Sequence, residues 1–221
     1  WGTVTCIEPS YFDEGTAYLV VDNHRMNDNK PYVWKTTNLG TSWEPITLGL
    51  PKDEYALVVR EDPKRKGLLF LGTSKGVYIS MDGGKGWRPL RLNMPPAACS
   101  DIVVKENDLV VGTIGRSAWI LDDITPIRQW NNMVRGKDSH VFAPAPATRW
   151  RMDSSVSAHL AEASGENPPE GAVIHYYLKT TPKKPVIIEI KSHGLKANLK
   201  PTRKRKKTNQ STTKTKIRNP R

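Results

Sequence analysis

One eight-residue pattern occurs twice in this chain, 44 residues apart, and it limits the possible folds more than any other feature. The first copy is Thr36-Thr37-Asn38-Leu39-Gly40-Thr41-Ser42-Trp43. The second is Ser80-Met81-Asp82-Gly83-Gly84-Lys85-Gly86-Trp87. Both place a hydroxyl first, then Asn or Asp, then glycine, then tryptophan. Such a string reads as a self-bonded turn. Asn38 or Asp82 accepts from backbone N–H groups a few residues on, and Thr36 or Ser80 adds a hydroxyl partner. Gly40 and Gly84 supply the positive φ of a tight turn. Trp43 and Trp87 fold back to bury a large apolar face. Turn chemistry accounts for every position, so a structural staple is preferred over Asp82 as a catalytic acid.

Each turn follows a short apolar run, Tyr32-Val33-Trp34 or Val77-Tyr78-Ile79, and the same arrangement recurs upstream. Ala17-Tyr18-Leu19-Val20-Val21, Leu68-Leu69-Phe70-Leu71 and Asp108-Leu109-Val110-Val111 predict a second strand in three units. Val4-Thr5-Cys6-Ile7, Tyr55-Ala56-Leu57-Val58-Val59 and Ile102-Val103-Val104-Lys105 predict a first. The third unit is degenerate. It keeps Ala118-Trp119-Ile120-Leu121, but Asp122-Asp123 and Ile124-Thr125-Pro126-Ile127 replace the turn, as in a terminal repeat. Short strands repeating every forty-odd residues predict β-propeller blades. The expected fold class is all-β: about three blades of a larger ring, then a truncated sandwich-like segment and a disordered basic tail. Three blades do not close a ring, and the chain opens in mid-pattern at Trp1, so a fragment is expected.

With these residues in view, the repeated turn resembles the Asp-box, or bacterial neuraminidase repeat, of sialidase-like propellers. Pro31-Tyr32-Val33-Trp34-Lys35-Thr36-Thr37, Val58-Val59-Arg60-Glu61-Asp62-Pro63, Lys66-Gly67-Leu68-Leu69 and Gly115-Arg116-Ser117-Ala118-Trp119-Ile120-Leu121-Asp122-Asp123 are similar to large bacterial proteins with sortilin-type propellers, often labelled glycosyl hydrolases. The resemblance covers residues 1–130, with a weaker continuation to about residue 190. It implies a secreted or periplasmic setting. It implies no single activity, because the fold hosts sialidases, xyloglucanases, sorting receptors and assembly factors. The family pattern has histidine where this chain has Ile114, a position expected to be partly buried.

The boundaries expected are residues 1–130 for the blades, 131–164 for a Pro-punctuated link, 165–192 for the start of an immunoglobulin- or fibronectin-like segment, and 193–221 for the tail. Net charge is +12, and residues 200–221 hold ten of the Lys and Arg with no acid, which leaves the remainder at +2. Arg203-Lys204-Arg205-Lys206-Lys207 offers polyanions nonspecific charge only, so no specific nucleic-acid partner is expected. No apolar run is long enough to span a membrane. Cys6 and Cys99 are expected as reduced thiols, and no His/Cys pattern suggests a metal or other cofactor.

Two functional readings remain. A recognition propeller would bind a protein, peptide or glycan, and His24, Arg25 and Arg116 are its candidate ligand contacts. The alternative is an extracellular glycoside hydrolase of the xyloglucanase or sialidase kind, which needs paired carboxylates. The charged loop of residues 22–30 makes Asp22 and Asp28 the first candidates, with Asp101, Glu61 and Asp62 next. Arg116, after a glycine at a strand–loop junction, is suited to clamping a carboxylate or pairing with Asp122. No second carboxylate at a predictable distance emerges, and binding is preferred.

Overall fold

A computed structural model describes residues 2–147, 171–182 and 185–188. The chain divides into two units, Trp1–Thr181 and Pro182–Arg221. Of the second, residues 182 and 185–188 are described; they are exposed and form no strand. The basic tail expected at 193–221 lies outside the described residues.

Three antiparallel sheets follow one another along the chain. The first joins β1 (Thr3–Pro9), β2 (Ala17–Asp22), β3 (Tyr32–Thr36) and β4 (Glu44–Pro45) in sequence order. The second joins β5 (Ala56–Glu61), β6 (Leu69–Thr73), β7 (Val77–Ser80) and β8 (Arg88–Pro89). The third has three strands, β9 (Cys99–Lys105), β10 (Asp108–Thr113) and β11 (Ala118–Leu121). Each carries an irregularity at the same place, between its first two strands: after Val4, after Ala56 and beside Gly112. Bulges bend and twist a strand locally, so the three sheets share one deformation.

The burial pattern shows how the sheets are stacked. Every residue of β6 and β7 is buried, whereas β2 alternates strictly between buried and half-buried residues. A sheet covered on both faces reads as a continuous apolar run, and one covered on a single face alternates. Accordingly β5 packs against β1 and β2, and β9 packs against β5 and β6. Tyr18, Val20, Val33, Phe70, Leu71, Ile102 and Leu109 form one continuous core through all three sheets. The protein is all-β, three consecutive propeller blades in an open array.

Side chains join the blades. Arg60, on β5, donates from Nε to the Ile102 carbonyl at 3.0 Å and from Nη2 to Asp101 at 2.9 Å. Its Nη1 reaches Cys6 Sγ at 3.0 Å and Glu8 at 3.3 Å. One guanidinium thus holds the first strands of three sheets. Glu61, the next residue, is buried and accepts from Ser10 Oγ (2.6 Å), the Tyr11 amide (3.1 Å), Tyr18 (3.5 Å) and the Gly67 amide (3.2 Å).

Beyond the third sheet Ile124 is buried, and the chain enters α1 (Thr125–Gln129) and α2 (Asn132–Gly136). Arg128 Nε donates to buried Asp62 at 2.8 Å, and Arg65 donates to the Ile127 carbonyl, fastening α1 to the second sheet. The stretch expected as an extended link therefore begins with helix. It continues in β12 (Ser139–Val141), which pairs antiparallel with β13 (Tyr176–Leu178). The strand expected to open a sandwich is thus taken by an upstream partner. Trp130 sets its ring edge-on to Tyr177 at 4.8 Å, and this aromatic contact favours the pairing.

Arg60→Met should lower the urea midpoint and cost roughly 2 kcal/mol, because Glu8 is left buried without its cation. Lys75→Ala, which removes an exposed pair with Asp53, should change stability by less than about 1 kcal/mol. Burial, with Asp101 nearby, pushes the Cys99 thiol up to about 12. It should therefore stay protonated and resist alkylation at pH 8 until denaturant opens the fold, as mass spectrometry of labelled protein would show.

Candidate ligand-binding surface

The strand directions sort every loop to one of two ends. Residues 10–16, 37–43, 62–68, 81–87 and 106–107 lie at one, called here the turn end. Residues 23–31, 46–55, 74–76, 90–98 and 114–117 lie at the opposite end.

At the turn end the two repeated strings have matching hydrogen bonds. Ser80 Oγ donates to Asp82 at 2.7 Å and accepts from the Gly84 amide at 2.9 Å, while Asp82 accepts from the Gly86 amide at 3.1 Å. Thr36 donates to Asn38 at 2.9 Å and accepts from Gly40 at 3.0 Å, and Asn38 accepts from Ser42 at 3.0 Å. Gly40 and Gly84 stand at φ +83° and +92°. Trp87 is buried and donates to the Ile46 carbonyl at 2.6 Å, whereas Trp43 is half-buried. Between the first two sheets this end holds a cleft of about 330 Å³, lined by Asp13, Lys35, Lys66 and Asp82 over Tyr18 and Glu61. Glu61 offers a ligand little, since four protein donors already occupy its two oxygens. Tyr18, buried beside it, is pushed well above the usual phenol range by that burial and by the Glu61 charge.

The opposite end gathers the loop residues singled out by sequence. Asp22, at the end of β2, is buried. One carboxylate oxygen accepts from the His24 amide at 2.9 Å, and the other lies 2.5 Å from His24 Nδ1. His24 opens a short 3-10 turn, His24–Met26, and its ring stacks on Tyr55 at 4.4 Å, so it bridges to the strand-entry segment of the next sheet. Asp28 accepts from Tyr32 at 2.6 Å and from the Lys30 amide at 3.2 Å. The Tyr32 bond holds the Asp28 carboxyl below the usual range and pushes the Tyr32 phenol up. Nearby, Glu54 accepts from Tyr78 and Thr73, and Asp53 pairs with Lys75.

Arg116 lies in the β10–β11 loop at this same end. It is exposed, and its carbonyl accepts from the Trp119 indole at 2.9 Å. No ion pair joins it to Asp122 among the described residues; Asp122 sits at the turn end, where partial burial and neighbouring Asp108 push its carboxyl up. Ile114 is 65% exposed, which corrects the expectation of partial burial. It stands at a loop tip rather than in the sheet. Asp101, Glu61 and Asp62 belong to the bonds between sheets described above. Sequence reasoning missed the stacking role of Tyr55 and the span of Arg60, because no local pattern marks contacts between residues so far apart in the chain.

No helix among the described residues is long and apolar enough to cross a membrane, and no group of three metal-ligating side chains forms among them. No family model and no curated protein matches the chain. Among solved structures, it is similar to a GH74 enzyme of Niastella koreensis at 17% identity and a TM-score of 0.43, over 54% of this chain and 21% of that one. It is similar to an ancestral GH74 enzyme at 20% identity and a TM-score of 0.41, over 51% and 14%. It is also similar to YCF48 bound to D1 peptide, at 16% identity and a TM-score of 0.40, over 55% and 36%. This chain therefore spans well under two thirds of each of these proteins.

Asp28→Asn should bring the Tyr32 phenol back toward its ordinary titration, because the bond to the carboxylate is what raises it. Difference absorbance of the phenolate against wild type, followed through alkaline pH, would show one tyrosine ionising earlier.

Proposed function

We propose that this chain is a recognition segment, a set of Asp-box propeller blades that binds an acidic protein, peptide or glycan at the end opposite its repeated turns. One observation carries the reading. At that end Asp22, Asp28, Asp53 and Glu54 are each engaged by a protein partner, while Arg25 and Arg116 are exposed on two separate blades with no ion pair among the described residues. Glycosidic hydrolysis of the usual kind needs two carboxylates free to face one bond. Carboxylates already bonded internally serve that chemistry poorly. Exposed guanidiniums suit bidentate capture of a ligand carboxylate. Asp22 and His24 then act as supports that set the loop carrying Arg25, and the two turn motifs act as staples.

The test uses the full chain, since its basic tail also attracts acids. Acidic peptides and uronic-acid oligosaccharides would be screened for binding, and the Arg25→Ala, Arg116→Ala double variant titrated alongside. Loss of about tenfold or more in affinity, with the tail unchanged, is the expected result. Equal binding by the variant would assign the interaction to the tail. Release of reducing sugar from any polysaccharide would replace the reading with a hydrolase.

A further inference from the structure

The three sheets differ at one edge. In the first, β4 covers β3 by pairing Pro45 with Trp34 and Glu44 with Lys35, and the Ile46 amide donates to the Val33 carbonyl at 2.9 Å. In the second, β8 covers β7 in the same register. Pro89 meets Tyr78, Arg88 meets Ile79, and the Leu90 amide donates to the Val77 carbonyl at 2.8 Å. Both covering strands read tryptophan, charged residue, proline, aliphatic: Trp43-Glu44-Pro45-Ile46 and Trp87-Arg88-Pro89-Leu90. Proline suits an outermost strand, where its missing N–H breaks no ladder bond.

The third sheet stops at β11, and no strand pairs with the outer edge of β11 among the described residues. Trp119 and Ile120 face Val111 and Val110 as Tyr78 and Ile79 face Leu71 and Phe70. Ile79 is 8% exposed, yet Ile120 is 60% exposed. The chain's own candidate, Thr125-Pro126-Ile127, lies inside α1 and cannot return along β11.

Beside this free edge runs a largely apolar groove lined by Leu90, Leu92, Met94, Trp119, Ile120 and Leu121, with Arg91 and Asn93 also on its wall. Its counterpart one repeat earlier is filled. There buried Trp87 shares a core with Ile46 and Leu50, donating from its indole to the Ile46 carbonyl at 2.6 Å and from its amide to the Leu48 carbonyl at 2.9 Å, while the Leu48 side chain stays exposed. Leu90, Leu92 and Met94 follow those three residues at the spacing of the repeat. The groove is the place that a tryptophan occupies in the preceding blade.

We propose that the β11 edge and this groove bind an extended segment of another polypeptide with the order tryptophan, any residue, proline, then leucine or isoleucine, which adds as the fourth strand of the third sheet. The aliphatic residue's amide donates to the Ala118 carbonyl, and the tryptophan seats against Leu90 with its amide donating to the Leu92 carbonyl. Backbone pairing supplies the affinity and the two side chains the selectivity, as in strand addition generally. The proposal is independent of the reading of the opposite end.

The probe is a fluorescein-labelled peptide with the sequence of residues 85–92, whose positive charge keeps it off the basic tail. Titration into the full chain should give saturable polarisation, and amide hydrogen exchange should slow at residues 118–121. The peptide with Trp87→Ala, and the protein with Ile120→Asn, should each weaken binding about tenfold or more. Ile120 is exposed on the free edge strand, so this variant keeps the fold. Absence of saturation at millimolar peptide overturns the proposal, as does binding that leaves exchange at 118–121 unchanged.

Discussion

The structure depends on a problem common to stacked sheets, which share no backbone ladder. Most of what fixes their relative position comes from side chains, and the central one is Arg60. Its five N–H donors sit in a rigid fork, a geometry that lysine lacks. From the middle sheet it reaches a sulfur and a carboxylate on one neighbour, and a carbonyl and a carboxylate on the other. Apolar packing between the sheets supplies most of the stabilisation and little direction. The guanidinium adds direction, since sliding either neighbour by one residue would strand its bonds.

The same constraint explains where the acids of this chain lie. Glu8, Glu61 and Asp62 are buried at the seams between sheets because there they accept from amides, hydroxyls and guanidiniums that would otherwise be left unpaired. Glu8 keeps a carboxyl raised chiefly by burial and only partly relieved by the Glu61 amide and Arg60. Carboxylates committed in this way are architectural.

The third repeat shows what the turn motif contributes by its loss. Where Ser80, Asp82 and Gly84 close a turn and return the chain along β7, residues 122–124 offer no glycine and the chain proceeds into α1. Asp123 accepts from the Thr125 amide at 3.0 Å and lies 3.5 Å from His175. The helix is then latched across the sheets by Arg128 to Asp62 and Asn107. One missing turn therefore leaves a strand edge uncovered and also sends the chain to fasten the preceding blade.

Much of this was legible in the linear order of residues. The two strings 44 residues apart and the β-branched runs around them indicated short strands, three units and a degenerate last one, because turn chemistry and strand alternation are local properties. Ser/Thr, Asn/Asp and Gly carry their hydrogen-bonding preferences wherever they occur. The contacts of Arg60 with Cys6 and Asp101, the stack of His24 on Tyr55, and the pairing of Tyr176–Leu178 with Ser139–Val141 were not legible. Each joins residues separated by roughly thirty to fifty positions, and no periodicity encodes which neighbour a side chain will meet. Sequence by itself determined the strands of the three repeats and their repetition. Tertiary structure alone decided which acids were committed to the seams and which loop arginines stand without an ion pair among the described residues, because burial and partnership exist only once the sheets are stacked.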